Sequence, residues 1–552
     1  MNWQRNVILA SIGVVVWMLI VRWSNFESQQ EIQITQNQPQ PQLEMPQAGV
    51  EKYPASSALP TLAEDPDEQV KEVASNRQLI SVVTDVLKVV IDPLGGDIVE
   101  AQLLDHLTTM EQDGGEPITL LQRSNYAEYV AQSGLIGGNA TDTAEGRPLF
   151  TSRNNNYQLY GDESTLDVDL VYNQNGVEII KRFEFSASDY RIGLRYIIKN
   201  ATADPWSSTF YGQIRRDSHL PQFSTAGSMQ MQPFLGAALR EPDKNYSKYS
   251  LSDLEDGPVK ASIQGGWLAF SQHYFLSAWV PPQSDQNRYT LKKQNYNDVY
   301  LLAFTGEKIS VAPGTVGEYR VDFYVGPKDQ PVLEDLAEYL DLTVDYGWLW
   351  MVAKPIFIVM KYIHELVGNW GWSIILLTVF IKLLLYPLSA AGLKSMGKMR
   401  KLQPEMARIK ELYGDDRHKA GQEQMALFRK HKVNPVGGCF PMLLQMPVFI
   451  ALFWVLSESV EIRHSPWIGW IQDLSARDPL FILPVVMGAS MLLMQKLQPM
   501  PTDPMQARVF QLMPIGFTLL CMWFPAGLVL YWTVNNLLSM LQQWVVNRQI
   551  VK

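Results

Sequence analysis

Five apolar stretches near the end of the chain, at about 371–389, 437–457, 479–497, 509–525 and 527–546, contain no aspartate or glutamate. At about 1.5 Å of rise per residue, each has roughly the length that a ~30 Å hydrocarbon layer asks of a spanning helix. Backbone in lipid must satisfy its own hydrogen bonds, so these stretches predict a polytopic helical membrane domain. One residue stands apart. Lys382 lies inside ILLTVFIKLLLYPL (375–388) with apolar residues on both sides. A cation at mid-helix costs at least ~2.5–3.5 kcal/mol unless water or a partner relieves it. Neither the five stretches nor the apolar run near the N-terminus offers an acid to pair with it. Two readings remain: its stem snorkels about 10 Å to the cytoplasmic surface, or it lines a wet cavity open to the cytoplasm.

The rest of the 552 residues differ in character. Residues 344–552 hold 20 Lys+Arg against 12 Asp+Glu, while residues 1–343 hold 26 against 44. The only cysteines, Cys439 and Cys521, sit in the apolar half, so no disulfide framework is expected in the acidic half. Between Arg5 and Arg22 lies the uncharged run NVILASIGVVVWMLIV, and no small-x-small cleavage site follows it. An uncleaved anchor over 1–26 is therefore expected rather than a signal peptide. Residues 27–77 are rich in Gln, Pro, Glu and Ala, which predicts a flexible linker. From 78 to 343 apolar residues alternate with period two between turn signals, Asn175-Gly176 being the strongest, so a large antiparallel all-β sandwich is predicted. Its histidines, His106, His219 and His273, are scattered, with no nucleophile motif, metal-ligand cluster or phosphate loop beside them. A binding or scaffold role is expected, with no cofactor and no metal. Residues 344–370 mix apolar positions with Lys354, Pro355, Lys361, His364 and Glu365 and carry Trp348, Trp350 and Trp370 near their ends, the pattern of a helix lying in the interface.

The loop 391–432 carries eleven cations against five acids. By the positive-inside rule it is cytoplasmic, which puts the sandwich outside and both termini in the cytoplasm. Within the loop, Met396, Met399, Leu402, Met406, Ile409 and Leu412 recur at helical spacing despite Pro404. After the turn at Gly414-Asp415-Asp416, residues 418–432 return as a second helix, making a hairpin. Met396, Met399, Arg400, Lys401 and Met406 are its candidate contact residues, a basic, methionine-faced surface for a ribosome, a nascent chain or a membrane. A solvated charge run that only sets topology is the competing reading. Sixteen of the 22 methionines lie after residue 343, as expected of a surface that adapts to varied partners. Thr378, one turn before Lys382, Gln445 in the next stretch, and Trp532, Asn535, Asn536 and Ser539 in the last add polar groups at intramembrane depth. Each alone would serve as glue between helices; with an unpaired cation they point to a hydrophilic groove.

The motifs VGNWGWSIILLTVFIKLLLYPL, VNPVGGCFPMLLQMPVFIALFWVL, DLSARDP, TDPMQ and WFPAGLVLYWTVNNLLS resemble the YidC/Oxa/Alb family of membrane insertases. The resemblance runs over essentially the whole chain and is to Gram-negative members with a large periplasmic domain. It implies a periplasmic β-supersandwich akin to sugar mutarotases, a five-helix insertase core over 371–552 and a place in the bacterial inner membrane. It also implies a non-covalent insertase rather than an enzyme, with nascent membrane proteins and the lipid bilayer as partners and no nucleic-acid site. A Sec-type translocon, the ribosome and a signal-recognition-particle receptor are further expected partners. The family's groove arginine falls on Lys382, its threonine on Thr378 and its glutamine on Gln445. Its aromatic pair falls on Tyr531 and Trp532, with tryptophan where tyrosine is usual. Asn535 belongs to the same implied groove, and Met446 and Phe449 to a hydrophobic slide for the substrate. Lysine lacks the planar fork of arginine, so only positive charge carries over.

Two rival classes make different demands. A transporter with Lys382 as an anion site calls for paired repeats or several intramembrane ionisable groups, and the sequence has neither. A membrane-tethered sugar epimerase calls for paired acid and base residues in the sandwich, for which no motif is found.

Overall fold

A computed structural model describes residues 77–551, apart from 125, 144–145, 162, 221–233, 295–297, 414–415, 432, 434–439 and 499–503. The anchor expected at 1–26 and the linker expected at 27–77, its last residue excepted, lie outside the described residues.

The alternating half folds into two sheets of ten and nine strands packed face to face. Among the described residues, strand pairs are antiparallel except Ile80–Val83 with Asn156–Gln158, which run parallel. The hairpin expected at Asn175-Gly176 is present: both residues take positive φ, 49° and 82°, and join Thr165–Gln174 to Val177–Ser186 with Gln174 opposite Val177. Along Val177–Ser186 burial alternates strictly, so Val177, Ile179, Phe183 and Phe185 face the other sheet. The same alternation turns Lys181 inward. Its ammonium donates to the carbonyls of Gly95 (2.8 Å) and Ser133 (3.1 Å), while Arg147 nearby pairs with Asp97 and Asp142. Burial pulls the Lys181 pKa down to about 7. Phe210, Trp279, Phe304 and Phe323 tile the centre of the sandwich with tilted and edge-on ring contacts.

The strand Phe275–Val280 shows no alternation, and every residue in it is buried. Its second face, with Ala238, Trp267 and Ala269 from neighbouring strands, merges into the apolar core of the helical part. That part begins with a short helix α1 (Gln330–Leu336), followed by α2 (Trp350–Val367), α3 (Trp370–Leu384), α4 (Tyr386–Leu412), α5 (Arg417–Lys430), α6 (Phe440–Glu458), α7 (Ile482–Lys496), α8 (Pro504–Cys521) and α9 (Ala526–Val551). Helix α2 has two apolar faces. Ala353, Ile356, Phe357 and Met360 are buried against protein, whereas Met351, Ile358, Tyr362 and Leu366 stand exposed, a row suited to lipid. Exposed apolar rows recur on α7 and α8, among them Val485, Leu493, Val509, Leu512 and Leu519.

The first expected span, 371–389, is shorter in the structure. Helix α3 stops at Leu384, and α4 starts at Tyr386, bent by 70° from it. Pro387 in the first turn of α4 explains the restart, since the missing N–H costs nothing there. Among the described residues no single helix is both long and apolar enough to cross a bilayer alone, while α3 with α4 qualifies as a bent pair.

Candidate functional site

Three helices bring the candidate groove residues together. Helix α3 is capped at its start by Asn369, whose side chain accepts from the Trp372 N–H (3.1 Å) and donates to the Pro466 carbonyl (3.0 Å). This fixes α3 against the 460–478 segment and leaves Lys382 in the last turn before the bend. Its ammonium donates to Ser539 Oγ at 2.8 Å and to Gln445 Oε1 at 3.3 Å. Gln445 in turn donates from Nε2 to Asn535 Oδ1, and the Ser539 hydroxyl donates to the Asn535 carbonyl (2.7 Å). The result is a half-buried chain of polar groups linking α3, α6 and α9 around one cation. No carboxylate takes part in these bonds, and the acceptors are an amide and a hydroxyl. The ammonium is thereby solvated by neutral dipoles, and its charge remains uncancelled.

The aromatic residues sit one to two turns away. Phe449 stacks on Trp532 (centroids 5.0 Å apart, 18° between planes) and more distantly on Tyr531. Trp532 also meets Phe517 and Phe524, which ties α6, α8 and α9 together. Met446, beside Gln445, is 47% exposed.

Two expected groove residues are placed differently. Thr378 is buried, and its hydroxyl spends its hydrogen on the Ile374 carbonyl of its own helix (2.6 Å). Tyr531 is also buried, at 2% exposure. The polar stripe of α9 divides: Asn535 and Ser539 face Lys382, whereas Asn536 donates to Ser490 of α7 (3.0 Å) as glue between helices. Ser539 was visible as part of that stripe, but nothing in the sequence says that it would hold the lysine.

In the α4–α5 hairpin, Leu402, Leu427, Phe428 and Val433 form a small core, with Met399, Met406 and Ile409 packed partly against it. The expected methionine face is therefore largely spent on closing α4 against α5. Arg400 and Lys401 are exposed, Met396 is half-buried, and Leu412 and Met425 remain open. Asp416 caps α5 by accepting from the His418 and Lys419 N–H groups, while Gly414 and Asp415 lie outside the described residues.

A further set of contacts ties the sandwich to the helices. His273 Nε2 lies 2.8 Å from the Ser457 carbonyl at the end of α6, and Arg463 donates to the carbonyls of Leu107 and Thr108. Burial, with the nearby Lys328 charge, holds His273 down at about 4, and burial beside Arg463 does the same to His106. Burial pushes Glu461 up to about 7. Sequence reasoning gave these residues no role, because their partners lie hundreds of positions away.

A sandwich fused to a bundle of helices with exposed apolar rows around one cation is the architecture of a helical membrane protein with a large extramembrane domain. The family model described as YidC periplasmic domain matches residues 79–359, and that described as 60Kd inner membrane protein matches residues 362–552. The membrane protein insertase YidC of Cellvibrio japonicus is 50% identical over 550 residues, covering 100% of this chain and 99% of that one. The membrane protein insertase YidC of Saccharophagus degradans is 47% identical over 562 residues and is covered, like this chain, over its full length. A crystal structure of an active YidC insertase with its first transmembrane domain resolved matches 85% of this chain and 92% of that one, at 19% identity and a TM-score of 0.37. The chain belongs to the YidC family of membrane protein insertases.

Proposed function

We propose that this protein inserts integral membrane proteins into the inner membrane by offering their polar tails a site at Lys382. The observation that carries this reading is the ammonium held, among the described residues, by the neutral groups of Ser539 and Gln445. A cation solvated by neutral groups retains its pull on an acidic residue that enters from outside. In this reading Lys382 attracts acids in the substrate tail, Gln445 and Asn535 exchange their mutual bond for bonds to its backbone, and Met446, Phe449 and Trp532 take its apolar segment before it leaves into lipid. Tyr531 and Thr378 support the helix packing behind this surface. No covalent bond is made or broken; membrane partition, aided by the membrane potential, drives the step.

The cytoplasmic hairpin, through Met396, Arg400, Lys401 and the exposed parts of Met399 and Met406, would receive the chain from a ribosome or a signal-recognition-particle receptor. A Sec-type translocon is the expected partner for larger clients. In this topology the sandwich is periplasmic, and the N- and C-termini are cytoplasmic, as the eleven cations of 391–432 require.

Photo-crosslinkers placed singly at Gln445, Met446, Asn535 and Asn536 test the path against a stalled nascent chain bearing one apolar segment. Adducts are expected at the first three and not at Asn536, which faces α7. Adducts confined to Asn536 would overturn the assignment.

A further inference from the structure

The sandwich contains another buried cation that forms no direct ion pair among the described residues. Arg216 ends the strand Trp206–Arg216 and is 3% exposed. Its guanidinium lies between the rings of Tyr129 and Phe270, 4.5 and 4.3 Å from their centroids. Nη2 donates to the His219 carbonyl (2.8 Å), but Nε and Nη1 find no acceptor among the described residues. The adjacent Asp217 is engaged elsewhere, accepting from the Glu128 and His219 N–H groups and pairing with the His219 ring. Gln272, 2% exposed, leaves its Oε1 without a donor among the described residues. Arg216 and Gln272 line one pocket of about 30 Å³ whose wall also includes Thr119, Gln122 and His219.

Buried donors and acceptors are nearly always satisfied, so orphaned hydrogens and an orphaned carbonyl around one void describe what is missing from it. The guanidinium lacks accepting oxygens, and Gln272 lacks a hydrogen to accept. We propose that this pocket binds a small hydroxy acid, its carboxylate on the free hydrogens of Arg216 and its neighbouring hydroxyl donating to Gln272 Oε1. The internal volume admits a carboxylate and little more, so the rest of the ligand lies over Gln122 and His219. The flanking rings keep water from the charge and strengthen the pair.

The test is thermal unfolding of the full chain in detergent, titrated with glucuronate, inorganic phosphate or glucose against potassium chloride at equal ionic strength. Glucuronate is expected to raise the unfolding temperature by about 3 °C at saturation, with phosphate giving less than half of that and glucose nothing. Gln272→Glu supplies an internal carboxylate to Arg216, and that variant is expected to unfold no lower than the wild type and to lose the response. Should it fail to fold, Arg216→Lys keeps the charge without the fork and is expected to bind glucuronate at least tenfold more weakly. A glucuronate shift no larger than that of chloride overturns the site. An equal shift with phosphate overturns the hydroxy-acid assignment, and full retention in the variant that folds overturns the role of its residue.

Discussion

At the scale of single residues, Lys382 shows how a costly group is kept usable. Two hydrogen bonds to neutral acceptors lower the cost of the buried ammonium without supplying a counter-charge, as the proposed attraction of an acidic tail needs. Lys382→Glu is therefore expected to lower insertion of a single-span protein with an acidic tail at least tenfold, while Lys382→Arg stays within about twofold. Insertion assayed in cells depleted of the wild-type protein distinguishes the two; equal effects would return Lys382 to snorkelling. Ser539→Ala removes one bond worth about 1 kcal/mol and is expected to lower the same insertion by roughly fivefold, leaving a substrate without acids unaffected. That Lys382, Gln445 and Asn535 would meet was legible because polar residues in an apolar run have few places to go. Thr378 was not, because helical spacing puts it on the same side as Lys382, but a short hydroxyl reaches only its own backbone whereas a lysine stem reaches across to α9.

At the scale of elements, strand alternation and the Asn175-Gly176 turn were readable since each follows from local backbone preference. Where one helix stops and the next begins was harder to read. The apolar run continues past Leu384, so hydropathy extends the span to 389, yet Tyr386 and Pro387 open a new helix at 70°. The hairpin shows the same limit. Its methionine periodicity was visible, but which partner the face meets depends on α5 folding back onto it. Phe428, buried at 7% exposure with Leu402 and Leu427, holds that closure. Phe428→Ala is expected to destabilise the α4–α5 pair by about 3 kcal/mol, read as faster hydrogen exchange across 399–430 with sandwich amides unchanged. Exchange in 399–430 as slow as in the wild type would place the hairpin's stability elsewhere.

At the scale of the whole molecule, the division into an acidic β half and a basic helical half was plain from composition and period. How they join was not, apart from one clue: FLSAWV at 275–280 lacks alternation because both of its faces are covered. The join is also polar and titratable. His273 and His106 have folded pKa values near 4, below their ordinary 6.5, so their contribution is whole above pH 6.5 and is lost as pH falls toward 4. Glu461 has the opposite sign. Its folded value near 7 lies above the ordinary 4.5, so acidification from pH 7 to 4.5 adds stability. Each group changes stability by up to about 1.4 kcal/mol per pH unit in its window, so Glu461 offsets roughly one of the two histidines below pH 6.5. Removing that offset with Glu461→Gln is expected to make unfolding stability fall more steeply between pH 6.5 and 5 than in the wild type, by about 1.4 kcal/mol per pH unit. The difference between the two proteins cancels groups they share, and denaturant unfolding at pH 5, 5.5, 6 and 6.5 measures it. Adding His273→Phe to Glu461→Gln should bring the slope back to that of the wild type, because one histidine then remains. A slope unchanged by either substitution would mean that the junction opens to water before the chain unfolds, leaving both groups at their ordinary pKa values when stability is lost.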